Sequence, residues 1–447
     1  MGRDQAGCLG GPGRKEGGQE LFCYHGARCR ERGKAVSVST GVIAMLLVQL
    51  TKPRDYQAVN ETDRYIIGQT FRRYGDPTPF GIDTKARLQH LLMVGQTGTG
   101  KSTLLSNLAL QDVRSGTGFC LIDPHGDLVE YVHRHTQTPH LYFDVSDPTC
   151  ELGYNPLAKV SAAHRPLVAS GLIETLKKQW PDAWGARMEH ILRFSLLALL
   201  EQPKADLRDI LKLLTYKGFR RQVLDRITDP QVQFFWRVEF PAMNYQGSAD
   251  GVAPIANKLG AFLSQPAVRT ALCEPAQPLR FRRIMDSGQI LLVNLAKGRL
   301  GADIANILGG LITTSIMHAA STRHGVPESK RRAFFLYVDE FPNLTTKSFA
   351  GMLSEARKYG LGLVLAHQHL SQIDTDVSDA IFGNVGNVVA FRVGAKDAPF
   401  LARQLPPFTT HDLQNQPNHR ASVQIMQHGD RLPPFTATMY PPYQGAG

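Results

Sequence analysis

Residues 90–105 read HLLMVGQTGTGKSTLL: an apolar run, a glycine-rich loop, and then a renewed apolar pattern. The first run has the length and composition of a buried strand, and the last has the spacing of a helix. Between them, Gly95 to Ser102 match the pattern G-x-x-x-x-G-K-[ST], which binds phosphate in this strand–loop–helix context. The stretch therefore predicts an α/β domain with a nucleotide-binding loop.

The residue types of this loop suit a phosphate cradle. Its glycines let backbone N–H groups turn inward, Lys101 can reach the β and γ oxygens, and the following helix adds its positive end. Ser102 supplies a hydroxyl to Mg²⁺. The predicted nucleotide contacts are Gly95, Gln96, Thr97, Gly98, Thr99, Gly100, Lys101, Ser102 and Thr103. A glycine turn that binds nothing is the alternative, but stability alone would not explain an unpaired lysine after a buried strand. The loop by itself predicts ATP or GTP with Mg²⁺.

Two adjacent carboxylates end a second apolar run, in RRAFFLYVDEF at 331–341. At the end of a strand, such a pair meets two needs of nucleotide hydrolysis, a metal ligand and a base for the attacking water. We assign Asp339 to Mg²⁺ and Glu340 to the water. A protein that only binds nucleotide could keep the aspartate without the glutamate, so the presence of both favours hydrolysis.

The run GLVLAHQHL at 362–370 ends in polar residues, which places Gln368 where an amide can sense or orient the γ-phosphate. Its neighbours His367 and His369 are expected to be fold or interface residues. Just before this run, Arg357 in SEARKYGLG could form a salt bridge at the rim of the core or act as a cation on a neighbour's nucleotide. Spacing alone favours the salt bridge.

Short apolar runs interleaved with helical patterns predict strand–helix–strand units and a mostly parallel sheet. The strands fall in two groups, and the residues between them, as in ARMEHILRFSLLALLE at 186–201, have helical spacing. The tail from Ala421 to Pro442 predicts a hairpin around a Gly-Asp turn. The predicted divisions are a disordered leader (1–34), an N-terminal strand or short interfacial segment (35–79), a first part of the core (80–159), an all-α insertion (160–285) and a second part of the core with the hairpin (286–447). The insertion's tryptophans Trp180, Trp184 and Trp236 are assigned to a small core in preference to base stacking.

Charge and cysteine content indicate the kind of binding partner and the cellular compartment. The 447 residues carry 50 basic and 39 acidic side chains, a net charge of +11, so an acidic polymer or an anionic membrane is a plausible partner. Scattered cysteines indicate reduced thiols and the cytosolic side of a membrane. The apolar run at 42–48 is too short to span a bilayer. A zinc site is conceivable, although its spacing matches no paired-ligand pattern; its residues would be Cys8, Cys23, His25 and Cys29.

Taken together, GQTGTGKSTLL (95–105), LIDPHGDLVE (121–130), LYVDEFPNL (336–344), EARKYGLGLVLAHQ (355–368) and FRVG (391–394) resemble the HerA/FtsK superfamily of ring-forming ATPases. Within it, the chain is similar to the coupling proteins of conjugation and type IV secretion, of the TraD and TrwB kind. The segment Asp123–Leu128 is the most discriminating, because generic phosphate-loop proteins lack it. The similarity covers about 80–440.

The resemblance implies a RecA-like motor core interrupted by an all-α domain, and a ring, expected to be a hexamer, with each ATP between two subunits. It also implies that Arg357 acts in trans as an arginine finger, with Arg392 as a second candidate. Asp123, His125 and Asp127 would lie near the γ-phosphate or the interface, with no role derived for them. Coupling proteins usually begin with transmembrane helices. No convincing one occurs here, so we expect a cytoplasmic or peripherally attached form.

The predicted function is ATP-driven, sequence-independent DNA translocation in conjugation or type IV secretion, with relaxosome and secretion components as possible partners. Basic residues of NLAKGRLG (294–301), namely Lys297 and Arg299, are candidates for tracking DNA phosphates. A HerA-like DNA-processing helicase, a secretion ATPase that moves protein, and a nucleotide-gated binding module remain alternatives.

Overall fold

The computed structural model describes residues 30–31, 34–35, 64–71, 75–158, 160–242 and 251–443. The chain divides into two compact units, Met1–Val59 and Asn60–Gly447. In the first unit, the described residues form an antiparallel ladder of Arg30–Glu31 with Lys34–Ala35. Apart from these four residues, the predicted disordered leader and the interfacial run at 42–48 lie outside the described residues. So does the predicted zinc site at Cys8, Cys23, His25 and Cys29.

The second unit is built on one large sheet. In the part of the chain that the structure describes, eleven strands join it in the order β2-β1-β11-β10-β9-β3-β8-β7-β4-β6-β5. The strands are β1 Arg64–Thr70, β2 Pro79–Asp83, β3 Leu91–Val94, β4 Gly118–Asp123, β5 Leu141–Asp144, β6 Ile290–Asn294, β7 Phe334–Val338, β8 Leu361–His367, β9 Asn387–Ala390, β10 Arg420–Gln424 and β11 Phe435–Met439. From β9 to β5 the neighbours run parallel, and from β9 to β2 they run antiparallel.

Helices cover both faces of the sheet. They are α1 Thr84–Arg87, α2 Lys101–Ser115, α3 Asp127–Arg134, α4 Arg165–Gln179, α5 Ala186–Leu200, α6 Arg208–Thr215, α7 Lys217–Leu224, α8 Pro230–Phe234, α9 Phe240–Ala242, α10 Val252–Ser264, α11 Pro266–Leu272, α12 Phe281–Ser287, α13 Lys297–Leu300, α14 Ala302–Ser321, α15 Lys347–Ala356, α16 Thr375–Asn384, α17 Ala398–Gln404 and α18 Thr410–Gln414. A π-helical turn, Phe235–Glu239, joins α8 to α9.

Alternate residues of the central strands enter two different cores, which explains their unbroken apolar runs. In β3, Leu92 and Val94 pack on the side of the helical insertion, whereas Leu91 and Met93 pack on the side of α2 and α3. The predicted α/β fold, with a mostly parallel sheet and an all-α insertion, is confirmed, and so is the hairpin, as β10 paired with β11.

The sheet reaches further toward the N-terminus than the predicted start of the core at residue 80. Strand β1 pairs with β11, and β2 pairs with β1, so the sheet includes Arg64–Thr70, which the sequence predicts to be part of a separate N-terminal segment. One of the two partners of β1, the strand β11, is the last of the described strands. A pairing between strands so far apart in sequence leaves no local pattern.

The insertion, α4 to α12, shares the hydrophobic core on its side of the sheet. A two-residue pairing of Leu152–Gly153 with Gln277–Pro278 ties its ends together. Trp180 and Trp236 are buried, as expected of core residues. Among the described residues, one helical stretch, Ala302–Gly325, is long and apolar enough to cross a membrane, and 72% of its apolar window is buried inside the fold. Such burial is typical of a core helix.

A buried ionic network lies between helices α1 and α2 and strand β7. Arg87 donates to both carboxylate oxygens of Asp112, at 2.6 and 2.7 Å, and to the Tyr337 hydroxyl at 2.7 Å. Its guanidinium lies 3.9 and 3.7 Å from the ring centroids of Tyr65 and Phe335. Because both charges are fully buried, each depends on the other for its solvation.

Candidate nucleotide site

One cavity at the carboxyl ends of the parallel strands collects most of the predicted site residues. Its volume is about 580 Å³, within the range of small-molecule sites. Its walls are the loop after β3, the segment after β4, the acidic pair after β7 and the glutamine after β8. The lining residues are Thr97, Gly98, Gly100, Lys101, Ser102, Thr103, Asp123, His125, Asp127, Leu128, Asp339, Glu340, Gln368 and His419.

The loop from Gly95 to Ser102 has the conformation that its glycines permit. Gly100 has a φ of 120°, which L side chains rarely adopt, and a Cβ there would also lie 3.2 Å from the ring of Phe391. Helix α2 begins directly after it, at Lys101, and has no side-chain cap. Its first N–H groups therefore point toward the cavity and suit an anion.

Lys101 lies buried at the base of this loop. Its Nζ donates to the carbonyls of Gly95 at 2.6 Å and Gln96 at 3.1 Å. Burial lowers the pKa of Lys101, and the carboxylates of Asp339 and Glu340 oppose that shift. An ammonium solvated by loop carbonyls alone is ready to exchange them for phosphate oxygens.

The acidic pair faces Lys101 across the cavity. The Asp339 amide donates to the Ile122 carbonyl at 3.1 Å, which continues the pairing of β7 with β4. Burial, followed by the charges of Asp123 and Glu340, raises the pKa of Asp339 to about 6. Glu340 has a left-handed backbone, with a φ of 52°, and its amide donates to Asp339 Oδ1 at 3.0 Å. This excess of negative charge favours a bound cation.

Gln368 connects the acidic pair to the phosphate loop. Its Nε2 donates to Glu340 Oε1 at 2.6 Å, and its Oε1 accepts from the Thr97 hydroxyl at 2.8 Å. The amide thus spans the space between Glu340 and the loop, where the last phosphate of a nucleotide would enter. Gln368 therefore lines the cavity between Glu340 and the phosphate loop.

The donor set fits a magnesium–nucleotide complex. Ser102 is exposed at the start of α2, and Asp339 faces the same cavity. The described residues bring together no group of three His, Cys, Asp or Glu side chains that could hold a metal ion alone. Ser102 and Asp339 would hold a Mg²⁺ ion, with phosphate oxygens and water as its other ligands, as is usual for this ion.

The segment after β4 has a structural role that the sequence did not reveal. Asp123 is buried and accepts the amide of His125 at 2.8 Å through Oδ1, and that of Leu128 at 2.8 Å through Oδ2. It therefore ties down the loop and the start of α3. His125 and Asp127 are exposed on the cavity wall.

The two predicted arginines do not reach the cavity. Arg357 is exposed in a 3₁₀ turn, Arg357–Tyr359, just before β8. Because Gln368 follows the other end of this seven-residue strand, about 20 Å of sheet separates Arg357 from the cavity of its own chain. Arg392 donates to Gln96 Oε1 at 3.2 Å and to the Gln416 carbonyl at 3.4 Å, so it braces the phosphate loop from outside.

Sequence analysis missed His419, which lines the cavity from the start of β10. Its amide donates to the Thr99 carbonyl at 2.9 Å, and its backbone has a φ of 61°. No motif marks it. The basic residues of α13 lie beside the segment after β4: the Lys297 amide donates to the Pro124 carbonyl at 2.9 Å, and Arg299 donates to Ser146 Oγ at 3.2 Å.

Two family models match the chain. The model described as the central domain of the helicase HerA matches residues 66–218, and the model described as the TraM recognition site of TraD and TraG matches 333–427. Both phosphate-site motifs therefore fall within matched segments. Among proteins of curated function, none matches the chain by sequence.

Solved structures share the fold across almost the whole chain. The bacterial conjugative coupling protein TrwBΔN70, unbound, aligns with a TM-score of 0.55 and 16% identity, over 91% of this chain and 92% of that one. TrwB in complex with ADP and Mg²⁺ gives 0.56 and 16%, over 87% and 97%. VirB4 of Thermoanaerobacter pseudethanolicus gives 0.57 and 13%, over 86% and 98%. Together with the two family models, these likenesses confirm the resemblance to the HerA/FtsK-type ATPases of conjugative coupling.

Proposed function

We propose that the chain hydrolyses ATP in order to move DNA in conjugative transfer or type IV secretion. The observation that carries the proposal is the single cavity that joins Lys101, Ser102, Asp339, Glu340 and Gln368. A protein that only bound nucleotide would need the first three. The bond from Gln368 to Glu340 adds a carboxylate that is aimed into the site and can accept a proton from water.

Each residue has a distinct task in this proposal. Lys101 and the N–H groups at the start of α2 bind the β and γ phosphates of ATP. Ser102 and Asp339 hold Mg²⁺, which when bound neutralises charge on the phosphate oxygens. Glu340 orients the attacking water and takes its proton, and Gln368 leaves Thr97 to contact the γ-phosphate. Thr99 and His419 keep the loop in place through their backbone hydrogen bond.

A ring of subunits, expected to be a hexamer, would supply the missing cation. Arg357 is exposed and too far from its own cavity to act there, so it can contribute only to a neighbour's nucleotide. Arg357 forms no ion pair with another described residue, so its exposed guanidinium is free to act as such a finger. Cations supplied in this way accelerate phosphoryl transfer by orders of magnitude.

DNA is the proposed cargo. The net charge of +11 suits a polyanion, and α13, which carries Lys297 and Arg299, lies beside the segment after β4 that forms a wall of the nucleotide cavity. Because the Lys297 amide bonds the Pro124 carbonyl, a movement of α13 on DNA would displace the adjacent Asp123. By likeness to coupling proteins, we propose relaxosome and secretion components as partners. The proposed location is the cytoplasm, either free or attached peripherally at the inner membrane.

ATP turnover tests the proposal. The chain and its Lys101→Ala and Glu340→Gln variants are assayed with no DNA, single-stranded DNA and double-stranded DNA over a series of salt concentrations. We expect turnover that DNA stimulates, that falls steeply with salt, and that both substitutions abolish. Turnover indifferent to DNA would favour the protein-moving secretion ATPase. An active Glu340→Gln protein beside an inactive Lys101→Ala protein would favour the nucleotide-gated binding module.

A further inference from the structure

The turn that follows Glu340, residues 341–346, is held by a side chain from the helical insertion. Lys178, near the end of α4, donates hydrogen bonds from its Nζ to the backbone carbonyls of Pro342 and Thr345. These two carbonyls lie near opposite ends of the turn. Because a charged donor strengthens both bonds, Lys178 fixes the turn relative to α4.

One helical turn earlier, α4 makes a second contact with the same region. Glu174 Oε2 accepts the backbone amide of Ser348 at 2.8 Å, in the first turn of α15. The residue at the usual capping position, Thr346, makes no capping bond, and its hydroxyl pairs with Ser348 Oγ at 3.0 Å. Glu174 therefore caps α15 from another part of the chain, and its charge suits the positive end of that helix.

The close approach of α4 to this turn depends on two adjacent glycines of α14. A Cβ on Gly309 would lie 2.6 Å from the Leu344 side chain, within the turn, and a Cβ on Gly310 would lie 2.8 Å from Cγ2 of Thr175 on α4. Both distances are shorter than real side chains allow. The turn and α4 thus rest side by side on one helix, and this packing is independent of the lysine and glutamate contacts.

We propose that Lys178 and Glu174 are positioning residues that couple the helical insertion to ATP hydrolysis; the inference rests on the proposed ATPase function. Neither residue lines the nucleotide cavity. Lys178 holds the turn directly after Glu340, whose left-handed backbone links the turn to the carboxylate that bonds Gln368. Glu174 holds the start of α15, and α15 leads directly into Arg357. A displacement of α4 therefore reaches both the base and the proposed finger.

The first test measures ATP turnover in Lys178→Met, which removes the ammonium and keeps most of the stem. We expect kcat to fall about tenfold or more, with KM for ATP changed less than about threefold, because only the alignment of Glu340 is lost. Lys178→Arg, which keeps two donors, should stay within about threefold of the parent. The matched control is Lys177→Met: Lys177 pairs with Glu189 at 2.9 Å inside the insertion and should behave as the parent. A Lys178→Met protein with the kcat of this control overturns the inference.

The second test needs no ATPase activity. Hydrogen exchange at the amides of Asn343, Leu344 and Ser348 should be faster in Lys178→Met than in Lys177→Met, and Glu174→Ala should accelerate exchange at Ser348. Unchanged exchange at all three amides overturns the inference even if turnover falls. If the parent shows no more turnover than Lys101→Ala, the proposed ATPase function is refuted, and the exchange measurement still decides whether α4 holds the turn.

Discussion

Replacing Asp339 by asparagine should stabilise the nucleotide-free protein. The pKa of this carboxyl rises from 3.8 to about 6, chiefly because the half-buried group is desolvated at the cavity wall. At about 1.4 kcal/mol per pKa unit, the ionised carboxylate costs the folded state about 3 kcal/mol at neutral pH. Asparagine removes that charge but still buries an amide, so we expect a net gain of about 1–3 kcal/mol in the free energy of unfolding. The same substitution should abolish the additional stability against unfolding that Mg²⁺ and ATP together give the parent protein.

The cost of the ionised Asp339 to the folded state depends on pH. The penalty is complete above the folded pKa of about 6, declines as the pH falls from 6 to 3.8, and vanishes below 3.8, where both states are protonated. Urea unfolding in the presence of a chelator should therefore show Asp339→Asn more stable than the parent at about pH 7, and the difference should shrink at about pH 4.5. Asp127→Asn, at an exposed carboxylate of the same cavity, is the control and should change stability by less than about 1 kcal/mol. An Asp339→Asn protein that is less stable than the parent at pH near 7, or a gain that does not vary with pH, would refute the reasoning.

Three further outcomes follow from the structure. Lys101→Ala should lose nucleotide binding, measured by titration with a fluorescent ATP analogue, while retaining the parent's circular dichroism; binding at parental affinity would contradict the site. Arg87→Met should lower the free energy of unfolding by about 3–5 kcal/mol, because it leaves the buried charge of Asp112 unpaired, and adding Asp112→Leu should recover part of the loss; a single variant as stable as the parent would exclude that account. The double variant Lys297→Ala, Arg299→Ala should keep basal ATP turnover and lose its stimulation by DNA, whereas unchanged stimulation would remove α13 from the proposed DNA path.

The parts of the site that sequence could predict are those whose pattern is local. Gly95 to Ser102 are recognisable because a phosphate loop needs glycines and a lysine at fixed spacing. Asp339, Glu340 and Gln368 are recognisable because each ends a buried apolar run, and the carboxyl ends of parallel strands meet at one edge. The continuous apolar runs also reveal strands that are buried on both faces.

Other features depend on contacts between distant parts of the chain. His419 enters the cavity because β10 turns back antiparallel beside β9, and nothing in the sequence around it indicates a nucleotide. The tie of Asp123 to Leu128 depends on the sharp turn between β4 and α3. Lys178 and Glu174 have the spacing of any exposed helical pair, and only the packing of α4 on α14 brings them to the turn after Glu340. Side chains that act across packed elements are therefore invisible to local patterns.

In the proposed ring, one chain supplies the phosphate, Mg²⁺ and water contacts of each ATP site, and its neighbour supplies Arg357. Mixing Lys101→Ala subunits with Arg357→Ala subunits tests this arrangement directly. Each variant alone should be inactive, whereas random mixing should rebuild about one quarter of the interfaces with both Lys101 and a neighbour's Arg357. Lys358→Ala, next to Arg357 and also exposed, is the matched control and should remain active alone. ATP turnover in the mixture well above either variant is the predicted result; a mixture as inactive as its components, or an active Arg357→Ala protein, would contradict the claim.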